Sequence, residues 1–325
     1  MFACAAMTCR EKFLLSHEKI DRMLAGRSVP DALRILRELD YDDRVENAGM
    51  EYEKVLLSEL EKTYKLVISM VPDETYFDVL LLPNDYHNVK VLLKAEFLEI
   101  NADDLLIDAG TYPLDELKAL VSGRNYSDMS EEMAAGIQSV LETYGTTQDP
   151  QVVDLILDKA CYRDMSFMAR ILKMDFINDY LTLKIDTVNL ISFARARQMK
   201  STREFFSKIF IEDGNVPEEV FLDCFSENTE KIAEKVAIYG LDSVATEGFQ
   251  MLEKTGRFTV LEKLCDDLLL SFVETAKQIT SGVEPLYAYL LAKESEIKTV
   301  RIILAGLFEG LPTEQIRERV RNTYA

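Results

Sequence analysis

PLYAYLLAKESEIKTVRIILAGLFEGLPTEQIRERVRNTY, running from Pro285 to Tyr324, decides the fold class of this chain. Ile297, Val300, Leu304 and Leu307 recur at three and four residues, and Ile303 and Phe308 widen the stripe. That spacing gives a helix one apolar face, which must be buried against something. Gly310 can close the helix C-terminus in the left-handed conformation, and Pro312 opens a further helix through Ile316 and Val320. Arg317, Arg319 and Arg321 interleave with those apolar positions. They serve either to complement a helix C-terminal dipole or to form a basic contact patch.

The same punctuation occurs upstream. Gly26-Arg-Ser-Val-Pro30, Gly110-Thr-Tyr-Pro113 and Gly214-Asn-Val-Pro217 match Gly310-Leu-Pro312. In each, the glycine suits a helix end and the proline the first position of the next helix. Acids follow every proline (Asp31; Asp115 and Glu116; Glu218 and Glu219; Glu314), where a helix N-terminus favours them.

Two markers recur three times. Leu60-Glu61-Lys62, Leu157-Asp158-Lys159 and Leu261-Glu262-Lys263 form one. The other pairs an acid with Asn or Thr three residues later: Asp85 with Asn88, Asp186 with Asn189, Glu296 with Thr299. Successive copies stand 97 to 110 residues apart, too far for tetratricopeptide, ankyrin or HEAT repeats of about 33–47 residues. The expectation is three diverged helical units: 1–148, comprising an N-terminal hairpin and the first unit, then 149–256 and 257–325. The breaker-rich stretches Gly145–Pro150 and Lys254–Arg257 mark the boundaries. A first helix is expected over Ala6–Ala25, a long one over Met50–Met70 stopped by Pro72, and another from Asp85 to Ile100. Strand alternation is lacking, so the class is all-α.

Composition bounds the function. The 325 residues carry 37 basic and 57 acidic side chains, a net charge of −20, which disfavours nucleic acid and anionic lipid as partners. The segment 285–325 departs from this, with six Lys/Arg against five Glu. Five cysteines without a C-x-x-C pair argue for a reducing compartment, and no apolar run reaches the ~20 residues of a membrane span. The expected location is cytoplasmic. His17 and His87 lack metal-ligand neighbours, and neither a phosphate loop nor a nucleophile motif occurs, so no catalysis, cofactor, metal or nucleotide binding is expected.

The best site candidates are therefore the repeated polar pairs, since i and i+3 share a helix face. They either line a surface that meets a partner or start and cap their helices. A free helical adaptor binding partners in an apolar groove is the competing class of function.

The tail residues Glu284-Pro285-Leu286, Tyr289-Leu290, Lys293, Glu296-Ile297-Lys298, Val300-Arg301-Ile302-Ile303, Gly306, Gly310, Pro312 and Ile316-Arg317-Glu318-Arg319 carry a resemblance. So do Arg10-Glu11-Lys12, Leu14-Leu15-Ser16, Asp85-Tyr86-His87-Asn88-Val89-Lys90, and Asp186 with Asn189. The chain resembles the C subunit of the V/A-type (vacuolar/archaeal-type) rotary ATPases and ATP synthases, counterpart of the eukaryotic V-ATPase d subunit, over nearly its whole length. It departs from the family's Gly-Lys-x-Asn-Gly at Gly306-Leu307-Phe308-Glu309-Gly310. The resemblance implies three helical domains about a pseudo-threefold axis, forming a funnel. It implies a non-catalytic central-stalk socket that joins axle subunits of D and F type to the membrane rotor ring, peripheral on the inner membrane face. Partner contacts would then fall on Asp85, Asn88, Asp186, Asn189, Glu296, Thr299, Arg301, Arg317, Arg319 and Arg321.

Overall fold

The computed structural model describes residues 2–26, 28–41 and 52–325. Met50, where the second long helix is expected to begin, and Arg27 lie outside them. Sixteen α-helices and no strand occur among the described residues. They are α1 (Phe2–Glu11), α2 (His17–Gly26), α3 (Val29–Leu36), α4 (Tyr52–Ile68), α5 (Asp78–Leu98), α6 (Leu114–Ser122), α7 (Glu131–Thr147) and α8 (Gln151–Ile171). Then follow α9 (Asp175–Gln198), α10 (Arg203–Ile209), α11 (Glu218–Asp223), α12 (Thr229–Val236), α13 (Asp242–Thr255), α14 (Thr259–Glu274), α15 (Glu284–Phe308) and α16 (Thr313–Arg317).

Each of the three marked segments holds two long helices in succession: α4 and α5, α8 and α9, α14 and α15. Shorter helices follow the prolines, and the acids after them lie in first turns at α3, α6, α11 and α16. The chain packs as two compact units, one made of Met1–Glu74 with Asn228–Ala325 and the other of Thr75–Glu227.

In the first unit, α15 supplies the floor of the core. Ile297, Val300, Ile303 and Leu304 are buried against Leu24 of α2, Leu33 and Leu36 of α3, Leu56 of α4 and Ile316 of α16. Leu307 packs at the edge, whereas Phe308 is 55% exposed and lies outside the stripe the periodicity assigns it to. The single helix expected over Ala6–Ala25 is two helices, broken over residues 12–16. No glycine or proline marks that break; Ser16 Oγ accepts the Lys19 N–H at 3.4 Å where α2 begins, and the Leu15 N–H turns to α15. The last helix is shorter than its pattern, ending at Arg317, and residues 320–325 run on as a non-helical strap.

In the second unit, α7 and α5 pack against α8, and α9 lies against α8 and α10. The α9 end is filled by Phe193, Phe206, Phe210 and Phe221, with neighbouring ring centroids 5.4–6.1 Å apart and mostly tilted or edge-on. This is the geometry that ring quadrupoles favour. Helix α5 starts at Asp78, seven residues before the expected Asp85, and carries Pro83 within it.

Candidate functional site

The three repeated polar pairs stand inside their helices, not at first turns, and all are buried. In the second unit each pair grips the loop that leaves its own helix. Asn88 of α5 donates from Nδ2 to the Ile107 carbonyl at 2.8 Å and accepts the Ile107 N–H at Oδ1, also 2.8 Å. One turn earlier, Asp85 Oδ2 accepts the Thr111 N–H and hydroxyl, both at 2.7 Å, and Oδ1 accepts the Tyr112 N–H at 3.3 Å. Asn84 adds a bond to the Ala109 carbonyl at 2.8 Å. The loop thus runs back along the helix with its buried main-chain groups satisfied by side chains.

Helix α9 repeats the device. Asn189 donates to the Ile211 carbonyl at 2.7 Å and accepts the Ile211 N–H at 2.9 Å; Asp186 Oδ1 accepts the Val216 N–H at 2.9 Å. Both loops read Ile-acid-x-Gly-x-x-Pro, as Ile107–Pro113 and Ile211–Pro217. Their glycines do not close helices, as the punctuation suggests. A Cβ on Gly110 would lie 1.8 Å from Asp85 Oδ1, and one on Gly214 would lie 2.4 Å from Asp186 Oδ1. Only a hydrogen lets the carboxylate come this close to the backbone.

The third pair, in α15, grips a different partner. Glu296 Oε2 accepts the Leu15 N–H at 2.6 Å, across 281 positions of sequence. This contact sits at the break between α1 and α2, where the N–H is given to the carboxylate instead of continuing a helix. Oε1 of Glu296 accepts the Tyr41 hydroxyl at 2.9 Å and Lys293 Nζ at 2.7 Å. Lys293 also pairs with Glu59 of α4 at 3.2 Å and lies 4.3 Å above the Tyr41 ring. Lys293, Glu59, Glu296 and Tyr41 are all buried, so the first unit encloses an ion cluster.

Charge follows burial. Burial pushes the Asp85 carboxyl above the usual range, against the bonds from Thr111 and Tyr112 that pull it down. Asp186, with fewer donors and an Oδ2 that has no partner, is pushed by burial up to about 6. For Lys293 burial works downward, but Glu296 and Glu59 outweigh it and its pKa is raised.

The arginines divide. Arg321 is buried and binds Asp266 of α14 at 2.8 Å; burial raises that carboxyl, but Lys298 and Arg321 together hold it below its ordinary value. Arg301 spans to Glu53 at 2.9 Å and Arg317 to Asp21 at 2.6 Å, both pairs reaching solvent. Arg319 is half-buried without an ion partner among the described residues. Sequence reasoning missed Glu59, Tyr41, Asp164 and the role of Lys293. Asp164 of α8 accepts the Tyr86 hydroxyl at 2.9 Å and the hydroxyl of Ser130, which also caps α7.

Among the described residues no three His, Cys, Asp or Glu converge to hold a metal ion. His87 bonds the Leu105 carbonyl and His17 the Thr323 hydroxyl, so both rings are tied to neighbouring chain. No helix among them is long and apolar enough to cross a membrane. A half-open groove of about 280 Å³ lies along α8, α9 and α10, lined by Val188, Ala196, Met199, Phe205, Lys159 and Arg195.

Fold and site together define an all-helical scaffold whose buried polar residues serve its own loops. The pattern of the ATP synthase (C/AC39) subunit family matches residues 3–319, and the chain belongs to that family. It is 25% identical to the C subunit of the V-type sodium ATPase of Enterococcus hirae, over 97% of this chain and 96% of that one. Identity is 24% with the C subunit of the A-type ATP synthase of Methanocaldococcus jannaschii, covering 96% of this chain and 84% of the relative. The C subunit of the V-type ATP synthase of Thermus thermophilus is also 24% identical, over 90% of each chain.

Proposed function

We propose that this chain is the non-catalytic central-stalk component of a rotary V/A-type ATPase, a socket that joins the central axle to the membrane rotor ring. The observation that carries the reading is the extent of the match: relatives named as C subunits align over 90–97% of this chain and 84–96% of their own length. Three successions of two long helices, each with a buried acid and a short polar residue three positions on, support three diverged units, 1–148, 149–256 and 257–325, set around a pseudo-threefold axis as a funnel. A part that passes torque must resist bending, and loops bonded at several points to rigid helices meet that need. The partners are the D- and F-type axle subunits and the ring, with the chain peripheral on the cytoplasmic face.

Contact falls to the cations nearest solvent, Arg301, Arg317 and Arg319. The six clamp residues and Arg321 act from within by fixing the surface that the partners meet. Rim charges mainly steer association and respond to salt.

Two experiments test this. Affinity-tagged chain recovered from native membranes should bring the rotor-ring and head subunits with it. Deleting the gene should abolish ATP-driven ion transport while the detached head still hydrolyses ATP. Recovery of the chain without ATPase subunits would refute the assignment. Arg317→Glu with Arg319→Glu should weaken axle capture at unchanged helical content; undiminished capture would remove these arginines from the interface while leaving the assignment intact.

The groove along α8, α9 and α10 favours a second reading, a free adaptor that takes apolar anchors of a partner. A Met199→Asp variant that loses every partner, in a chain found free of membranes, would support it.

A further inference from the structure

We infer that the third clamp binds an ordered water molecule where its two siblings carry an amide. Asn88 and Asn189 each reach a main-chain N–H and C=O of the same residue with a single side chain. Thr299 occupies the matching position in α15, and its side chain is shorter and has one polar atom. It is 1% exposed, and its Oγ1 has no hydrogen-bond partner in the folded chain. A buried hydroxyl left unbonded is destabilising, so a native structure rarely leaves one so.

The space beside it fits one molecule of water. Thr299 lines a cavity of about 10 Å³ whose walls include Leu14, Leu15, Glu296, Asn322 and Thr323. A water needs roughly 10–15 Å³ and two to four polar partners. Thr299 Oγ1 supplies one. Glu296 Oε2 accepts only the Leu15 N–H and retains a lone pair for a second. Ala292 and Ser295 of α15, Leu14 and Leu15, and residues 322–324 of the C-terminal strap form the remaining walls. The water would bridge helix α15, the N-terminal loop and the strap, joining three stretches that the direct amides of the other clamps join only in pairs.

Two measurements decide, and they read different things. A crystal structure that resolves ordered solvent should place one water about 2.8 Å from Thr299 Oγ1. Thr299→Val, matched in shape, strands the water against Glu296, and the unfolding equilibrium constant should rise about tenfold. A dry cavity gives the opposite sign, because valine would remove an unbonded buried hydroxyl. No solvent peak at this position, or a Thr299→Val protein as stable as the parent, overturns the inference. Thr299→Ser keeps the hydroxyl and should keep the peak, which decides the matter if the valine variant fails to fold.

Discussion

Replacing Lys293 with methionine tests the buried ion cluster of the first unit most directly. The substitution conserves length and apolar bulk but removes the one cation between Glu59 and Glu296, which stand 3.2 and 2.7 Å from its Nζ. At an effective dielectric near 20 these contacts are worth about 5 and 6 kcal/mol of gross attraction. Desolvation of three buried ions offsets most of that in the parent protein, so the cluster adds little net stability while intact. Breaking it is another matter. Glu296 then loses the lysine that balances it out of water, while Glu59 keeps only the half-exposed Lys62 at 3.4 Å, and the cost of stranding a buried charge is about 3–5 kcal/mol. Urea unfolding followed by far-UV circular dichroism should show the loss, and the melting temperature should fall by about 10 °C. Adding Glu59→Leu to Lys293→Met should recover part of it, because one stranded charge goes with the side chain; contacting residues couple in this way. A loss below about 1 kcal/mol, or a double variant no better than the single, would refute the claim that charge pairing controls this site. The raised pKa of Lys293 sets the alkaline limit. Its contribution is complete below the unfolded lysine value, about pH 10.4, and is lost as pH rises through the folded value.

Three further predictions concern the second unit. Gly110→Ala and Gly214→Ala should each destabilise by about 1–3 kcal/mol as the Cβ displaces Asp85 or Asp186, whereas Gly145→Ala, with no atom within 4 Å of the new carbon, should be neutral or stabilising; equal effects in thermal melts would contradict the close-approach argument. Asn88→Ala and Asn189→Ala should each cost about 1–3 kcal/mol and speed amide exchange at Ile107 or Ile211, and unchanged protection there would show that the loops hold without the clamp. Asp186, raised to about 6, keeps its proton in the folded chain where the unfolded chain has released it, so its contribution to stability falls as pH rises from about 4 to about 6. Asp186→Asn should flatten that slope in urea midpoints taken across the window, and a slope identical to the parent's would assign the titration elsewhere.

Much of the fold is legible in the sequence because it depends on local chemistry. Ile297, Val300 and Leu304 place a buried face on α15, and acids after each proline place the helix starts, since both rest on periods and termini within one element. The pairs Asp85/Asn88 and Asp186/Asn189 are visible too, but their direction is not. Whether a polar face looks outward or onto a loop depends on where the chain goes some twenty residues later. The signal that could have shown it is the paired heptapeptide Ile107–Pro113 and Ile211–Pro217, which trails each clamp at a similar distance. The break over residues 12–16 leaves only Ser16, which caps α2 and is easily passed over inside an apolar period. The partner of the Leu15 N–H, Glu296, lies nearly the whole chain away, and a contact with so distant a carboxylate leaves no local mark in the sequence. The short final helix has the same origin: Asn322 N–H bonds Asp267 of α14, and Arg321 turns to Asp266, drawing the strap off the helical path.

The bond from Leu15 to Glu296 also fixes an order of events during synthesis. Residues 75–227 leave the ribosome as one continuous stretch and form a compact unit by themselves. The first seventy-four residues emerge earlier, yet the helix that receives them is among the last parts made. At roughly 5–20 residues per second, the 281 positions between donor and acceptor correspond to a wait of on the order of 15–60 s. Through that interval Leu15, Leu24, Leu33 and Leu36 lack the α15 surface that covers them in the finished protein. The contacts that bury the opening segment can therefore form only after nearly the whole chain has been made.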